Sequence, residues 1–338
     1  MHMKTEINEN STSRATGKKY AELLCDFMFK RIFGSEANKD VLIGFLNMVL
    51  EDTEIVEVEF IPTEHQGFTE EDRKVVFDIA CKCKDSSSFI IEMQKGYQKY
   101  FRERALYYTT YPINEQGRRA HDEFIKAKTE GTSSSAKFDW DYNLKPVTVV
   151  AILNFKFNHC QNWPNDLYRS SYRLYEDSYQ EVMTDAIRFV FLELGRFDKY
   201  IWELETVFDK WMYLLKHMHE MVEIPKEFED SRFKRLFLLA EINKFTDEEK
   251  KQYKESLKNM GDYNNIINTA AEEAEKRGFA RGVDVGREKG REEGCIQRNV
   301  MVVKNLHSRG MSLEDISQIV ELTKEEVERI IEKYGRLQ

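Results

Sequence analysis

Hydrophobic residues recur at helical spacing twice within residues 18–50. Leu24, Phe27, Met28 and Ile32 predict one helix, and Val41, Leu42, Phe45, Leu46, Val49 and Leu50 a second, with Gly34 and Ser35 punctuating between them. Residues 55–61 are short, β-branched and alternating, the pattern of a strand. A polar connection, residues 62–72, follows. Residues 75–83 then alternate with period two, so Val75, Phe77, Ile79, Cys81 and Cys83 share one face and Val76, Asp78, Ala80 and Lys82 the other. Turn chemistry comes next, in Lys84, Asp85 and Ser86, and Phe89, Ile91 and Met93 then alternate with Ile90, Glu92 and Gln94. Two alternating runs across a short polar loop predict an antiparallel hairpin. A loop centred on Asp85 sets Glu92 opposite Asp78, so two carboxylates from adjacent strands lie side by side.

Residues 97–110 are helical in character, with no breaker before Pro112, and residues 118–141 are polar, with a loop-like run at 131–135. Residues 146–157 form a near-continuous apolar run, as expected of a central strand covered on both faces. The predicted order is helices, three strands, helix, strand. Residues 186–194 fit a strand or a helix, and residues 199–218, with Leu204, Phe208, Trp211, Leu214 and Leu215, a helix. Beyond them the chain becomes charged, with Gly278, Gly282, Gly286, Gly290 and Gly294 at every fourth position. Each glycine costs a helix about 1 kcal/mol relative to alanine, which predicts a marginal helix there. Ser312 with Asp315, and Thr323 with Glu326, stand at capping-box spacing ahead of Ile316, Ile319, Val327, Ile330 and Ile331, predicting a helical hairpin. The expected organisation is a polar tail (1–17), a main domain (18–218), a helical extension (219–269), a charged glycine-bearing linker or helix (270–295) and the hairpin (296–338).

Composition narrows the function classes. With 41% hydrophobic and 12% aromatic residues among 338, the chain has material for a sizeable core, which excludes wholesale disorder. A net charge of −9 excludes a globally basic nucleic-acid binder, though not a local basic groove. The five cysteines, Cys25, Cys81, Cys83, Cys160 and Cys295, are too sparse for a disulfide framework. No apolar run approaches the ~20 residues of a membrane span, and the N-terminal segment lacks the apolar core of a signal peptide. A reduced, cytoplasmic protein with no membrane partner is the expectation.

The chemistry-bearing candidates are Asp78, Glu92 and Gln94. Two carboxylates on neighbouring strands can share a divalent cation, since Mg²⁺ is held by one or two carboxylates together with waters and substrate phosphate. Gln94, two residues past Glu92 on the same face, could orient a water but cannot act as a base. From spacing alone, the pair reads more readily as solvent-facing residues of an antiparallel sheet.

Blocks spread over residues 18–218 resemble one family. Cys25-Asp26-Phe27-Met28-Phe29-Lys30-Arg31-Ile32-Phe33-Gly34, Asn38-Lys39-Asp40-Val41-Leu42 and Phe45-Leu46-Asn47 are similar to the N-terminal signature of the recombination-promoting, Rpn-type (YhgA-like) nucleases, also described as PD-(D/E)XK family transposases. Further matching blocks are Val76-Phe77-Asp78-Ile79-Ala80, Ile91-Glu92-Met93-Gln94, residues 101–108, residues 144–147, residues 191–197, and Leu204 through Lys210-Trp211 to Leu214-Leu215. The resemblance implies an α/β fold with a restriction-endonuclease-like αβββαβ core, its mixed sheet flanked by helices, plus a helical C-terminal extension. It implies metal-dependent cleavage of DNA, with Asp78 and Glu92 as ligands of Mg²⁺ or Mn²⁺. Gln94 stands where the general pattern has lysine, which bears on how strongly water is activated.

Supporting residues have two readings each. Asp26 either faces the site from the first helix or caps that helix. Arg104 and Tyr108, four apart, share a helix face; Arg104 could contact a phosphate or form a surface ion pair. His217 with His219, and His159 beside Cys160, have no metal-ligand spacing and read as bland. The glycine ladder is either a flexible tether or a surface for close helix contact in a homodimer. The terminal hairpin superficially resembles a helix-turn-helix, but Glu314, Asp315, Glu325, Glu326 and Glu328 make it acidic for DNA and better suited to a protein partner. Two functions follow: a metal-dependent DNA endonuclease tied to recombination or mobile elements, or an inactive adaptor that keeps the nuclease fold.

Overall fold

The computed structural model describes residues 18–65, 75–132, 137–160 and 162–334; the polar tail and most of the 62–72 connection lie outside the described residues. The chain divides into two compact units, residues 1–263 and 264–338. The elements run α1 (Asp26–Phe33), α2 (Lys39–Leu50), β1 (Glu59–Phe60), β2 (Glu64–His65), β3 (Val75–Val76), β4 (Ile79–Lys82), β5 (Ser88–Gln94), α3 (Phe101–Thr129), β6 (Val147–Leu153), β7 (Arg169–Tyr175), β8 (Val182–Glu193), α4 (Val207–His217), α5 (Ser231–Ala240), α6 (Asp247–Ser308), α7 (Leu313–Val320) and α8 (Lys324–Tyr334).

In the first unit six strands form one mixed sheet in the order β1-β4-β5-β6-β8-β7, while β2 and β3 pair separately. β1, β4 and β5 are antiparallel neighbours; β5, β6 and β8 run parallel; β7 returns antiparallel along the edge. The parallel step from β5 to β6 needs a crossover, and α3 supplies it. This is an αβββαβ core in a restriction-endonuclease-like α/β fold. All seven residues of β6 are buried, as its unbroken apolar run requires. One face of the sheet packs through Ile79, Ile91 and Met93 against Met28, Phe45, Trp211 and Phe237. The opposite face packs through Ala80, Ile90, Ala151 and Phe191 against Phe101, Ala105 and Tyr108 of α3.

Several sequence expectations meet corrections here. Residues 75–83 are not one strand: β3 and β4 are separated at Phe77 and Asp78, and the alternation slips. Phe77 joins Ala80 and Ile90 on the α3 face while Ile79 and Cys81 lie in the other core. The Phe77 N–H has left the β4 ladder to bond the Thr63 carbonyl at 2.9 Å. The strand expected at 55–61 shrinks to Glu59–Phe60, because Asn47 takes the Ile55 backbone: its Oδ1 accepts the Ile55 N–H at 2.7 Å and its Nδ2 donates to the Ile55 carbonyl at 2.8 Å. The helix after the hairpin does not stop at Pro112 but continues to Thr129. Pro112 removes only the bond to the Tyr108 carbonyl, and the packing of Ala105, Tyr108 and Tyr111 against the sheet carries the helix past it. The ambiguous 186–194 run lies almost wholly in strand β8.

The first turns of α6 close this unit: the Tyr253 hydroxyl accepts the Glu22 N–H at 2.9 Å and Ser256 Oγ accepts the Phe27 N–H at 3.2 Å. In the second unit Val303, Ile316 and Val327 form a small core. Ser312 caps α7 by accepting the Asp315 N–H at 3.2 Å. At the start of α8, Thr323 Oγ1 accepts the Glu326 N–H at 3.3 Å while Glu326 Oε2 accepts the Thr323 N–H at 2.8 Å, a reciprocal box. The five glycines at 278–294 all carry helical backbone within α6 rather than breaking it, flanked as they are by Arg, Glu, Lys and Ala. Among the described residues no helix is long and apolar enough to cross a membrane.

Candidate active site

The register of the β4–β5 hairpin builds the site. Ile79 lies opposite Ile91 and Lys82 opposite Ser88, with the turn about Asp85 between them. One step past the Ile79–Ile91 rung, Asp78 meets Glu92, and there side chains replace the backbone ladder. The Asp78 N–H donates to Glu92 Oε1 at 3.2 Å, and the Met93 N–H donates to Asp78 Oδ2 at 2.8 Å. The break that displaces Phe77 is what frees these backbone groups for carboxylates. Gln94 lies on the same face as Glu92 and donates from Nε2 to Glu92 Oε2 at 3.4 Å.

Burial dominates the electrostatics. Glu92 is only 3% exposed. Burial, followed by the charge of neighbouring Asp78, pushes the Glu92 carboxyl up to about 8, against the opposing pull of the Asp78 N–H, Arg104 and Gln94. Burial also raises Asp78; the Met93 N–H opposes it, the Asp26 charge adds to it, and Lys30 and Arg104 draw it back. Among the described residues no lysine, arginine or histidine forms an ion pair with either carboxylate. Asp78 Oδ1 and, beyond the long Gln94 contact, Glu92 Oε2 accept no hydrogen bond among them. A buried glutamate and a half-buried aspartate facing each other, with free oxygens and no paired cation, form a donor set that suits a hard divalent ion. No group of three or more His, Cys, Asp or Glu side chains gathers as a metal cluster among the described residues, so the protein's share would be two carboxylates. That share suits Mg²⁺, which keeps most of its shell as water and phosphate oxygen.

The remaining candidates converge from two directions. Asp26 is the first residue of α1 rather than its cap, the N-cap being Cys25. Its carboxylate pairs with Lys30 at 3.1 Å and its charge is felt at Asp78. Arg104 enters from α3, its guanidinium 5.5 Å from the Tyr108 ring centre and 5.3 Å from that of Phe101. Gln98 Oε1 accepts from Arg104 Nη1, while the buried Arg104 Nε has no hydrogen-bond partner among the described residues. Burial, with Glu92 next, raises the Tyr108 hydroxyl to about 12, so it stays protonated as a wall of the site. Sequence reasoning did not single out Lys30 or Gln98. The Asp26–Lys30 spacing of four was a signal for the first; nothing marked the second.

The histidines read as bland prove to be paired. His219 Nδ1 lies 2.9 Å from a Glu22 carboxylate oxygen, and His217 Nδ1 lies 3.0 Å from Glu220. His159 Nε2 meets buried Glu193 at 2.5 Å.

Compared with known proteins, residues 23–270 match the family model described as PD-(D/E)XK nuclease family transposase. No curated protein and no solved structure matches the chain.

Proposed function

Because the chain belongs to the PD-(D/E)XK nuclease family transposases, we propose that it is a DNA endonuclease that hydrolyses phosphodiester bonds with Mg²⁺ or Mn²⁺ held by Asp78 and Glu92. The observation that supports this reading is the carboxylate pair at the hairpin rung, Glu92 buried and Asp78 half-buried, with no ion-pair partner among the described residues. When bound, a divalent cation supplies charge neutralisation at the phosphodiester and lowers the pKa of water. Asp78 and Glu92 bind and orient that ion. Gln94 lies beside Glu92, where its amide can aim a water but cannot remove a proton. Arg104, whose charge acts on both carboxyls, would donate to a phosphate oxygen, and Tyr108 packs against its guanidinium. The proposed setting is cytoplasmic, in recombination or mobile-element activity.

Gln94 specifically favours a second reading, an inactive adaptor on the same fold, because the position lacks the lysine charge of the general pattern. Nicking of supercoiled plasmid separates the two. Purified protein is expected to nick with Mg²⁺ or Mn²⁺, not with chelator, and not as the Glu92→Ala variant. DNA binding without metal-dependent nicking would select the adaptor.

A further inference from the structure

A second polar cluster lies on the same face of the sheet and belongs to none of the steps above. Glu193, the last residue of β8, is fully buried, and its two oxygens are used separately. Oε2 accepts the Phe157 N–H at 2.8 Å and Arg196 Nε at 2.9 Å, so the charge is already compensated on that side. Oε1 meets His159 Nε2 at 2.5 Å, and the other ring nitrogen, Nδ1, lies 3.4 Å from Arg102 Nη2. Arginine only donates, so Nδ1 accepts and Nε2 carries the hydrogen toward Glu193. The tautomer is thereby fixed. Trp163 stacks on the imidazole with ring centres 3.7 Å apart, which holds its plane.

Arg102 is the open end of this chain. It is exposed, its guanidinium sits 4.8 Å from the Phe157 ring centre, and no carboxylate pairs with it among the described residues. A histidine acceptor and an aromatic face orient the guanidinium without neutralising it, which leaves a preorganised cation with free donors. Register places it relative to the acidic pair. Gln94 lies opposite Leu153 and Leu153 opposite Glu193, so Glu193 is two strands over from β5 and level with Gln94. At about 5 Å per strand that offset is roughly 10 Å. That offset exceeds the spacing of neighbouring phosphates in one strand, so the two clusters would meet different phosphates. Arg102 and Arg104 leave the first turn of the same helix, one toward each cluster.

We infer that Arg102, oriented by Glu193 through His159, is a contact for a DNA backbone phosphate flanking the scissile one. The inference rests on the nuclease reading and extends it from the reacting phosphate to the path of the strand. Arg102 touches the substrate; Glu193 and His159 are positioning residues.

The test is binding of a fluorescein-labelled duplex by the full chain in Ca²⁺, followed by anisotropy between 50 and 200 mM salt, alongside plasmid nicking. Arg102→Gln is expected to weaken binding about tenfold and to lower the slope of log K against log salt by about 0.9, one phosphate contact. Glu193→Gln removes the carboxylate charge and turns one of its two acceptor oxygens into a donor amide, which loosens the hold on His159. It is expected to weaken binding in the wild-type background and to add nothing in the Arg102→Gln background, a non-additivity that general destabilisation does not produce. Equal cost of Glu193→Gln in both backgrounds overturns the relay. Arg102→Gln alters an exposed side chain and stands as a test even if the Glu193 variant does not fold. Unchanged affinity and slope in Arg102→Gln, with nicking still lost in Glu92→Ala, overturn this inference and leave the nuclease reading intact. Failure of the wild type both to bind and to nick overturns that reading and the inference with it.

Discussion

Asp78 and Glu92 are joined across one rung by a crossed pair of hydrogen bonds: the Glu92 carboxylate takes the Asp78 N–H, and the Asp78 carboxylate takes the next N–H past Glu92, that of Met93. The arrangement fixes two like charges close together in a buried place. The backbone donors favour the ionised forms, but burial outweighs them, helped by the Asp78 charge at Glu92 and the Asp26 charge at Asp78, and both carboxyls titrate above their ordinary range.

A pH dependence follows for the metal-free protein. Glu92 has a folded-state value of about 8 against 4.5 in the unfolded chain. Between those values the folded state holds more protons, so unfolding free energy falls as pH rises. Thermal melting in chelator is expected to show stability declining from about pH 5 to about pH 8, with Mn²⁺ removing the decline. A metal-free melting temperature that rises across this window contradicts the assignment.

Glu92→Gln separates stability from function. It keeps the shape and removes the buried charge, so the metal-free variant is expected to be more stable than wild type at pH 8, on the order of 2–3 kcal/mol. Its melting should lose the pH slope, and calorimetry should find Mn²⁺ binding greatly weakened. Mn²⁺ affinity equal to wild type in an Asp78→Ala, Glu92→Ala double variant would dismiss the site altogether.

How much of this was legible in the sequence depends on the range of the interaction. The Asp78–Glu92 opposition could be read because a short turn about Asp85 fixes hairpin register within a few residues. The slip at Phe77 could not, since a period-two pattern reads the same whether a strand is continuous or broken, and the competing partner is the carbonyl of Thr63 on another segment. Pro112 misled because it removes a single backbone bond, while the packing of Ala105, Tyr108 and Tyr111 that sustains the helix is with sheet residues distant in sequence. His159 looked idle because Glu193 is distant in sequence and meets it only after β6 and β8 pair.

Gly195 is required by close approach. A Cβ there would stand 2.6 Å from the Phe155 carbonyl carbon and 2.9 Å from its oxygen, both backbone atoms that cannot swing aside. Gly195→Ala is expected to cost about 1–3 kcal/mol in a denaturant melt. It also displaces residues 155–157, so duplex affinity should fall more than Mn²⁺ affinity. A variant as stable as wild type would show that the contact relaxes freely.

The proposed division of the chain is tested by truncation. A chain ending at Tyr263 keeps Tyr253, Ser256, Leu257 and Met260 on the core and is expected to retain its melting temperature and Mn²⁺ binding. One ending at Thr246 loses the Tyr253 and Ser256 hydrogen bonds and should melt lower. In the full chain, limited proteolysis is expected to cut first within residues 278–294, where five glycines weaken the helix. Resistance of that stretch at low protein concentration would rule out the tether reading.

The crossover by which α3 carries the chain from β5 to β6 also divides the site in time. Asp78 and Glu92 come together through a local hairpin, whose closure requires ordering only the turn between them. Arg102, His159 and Glu193 meet only when β6 and β8 have joined the sheet, a set of contacts of high contact order that forms more slowly. The two acids therefore depend on local pairing, whereas Arg102, proposed above to hold a phosphate, depends on strands far apart in sequence. A change in a distant strand thus reaches the Arg102 cluster while leaving the hairpin register of the acids in place.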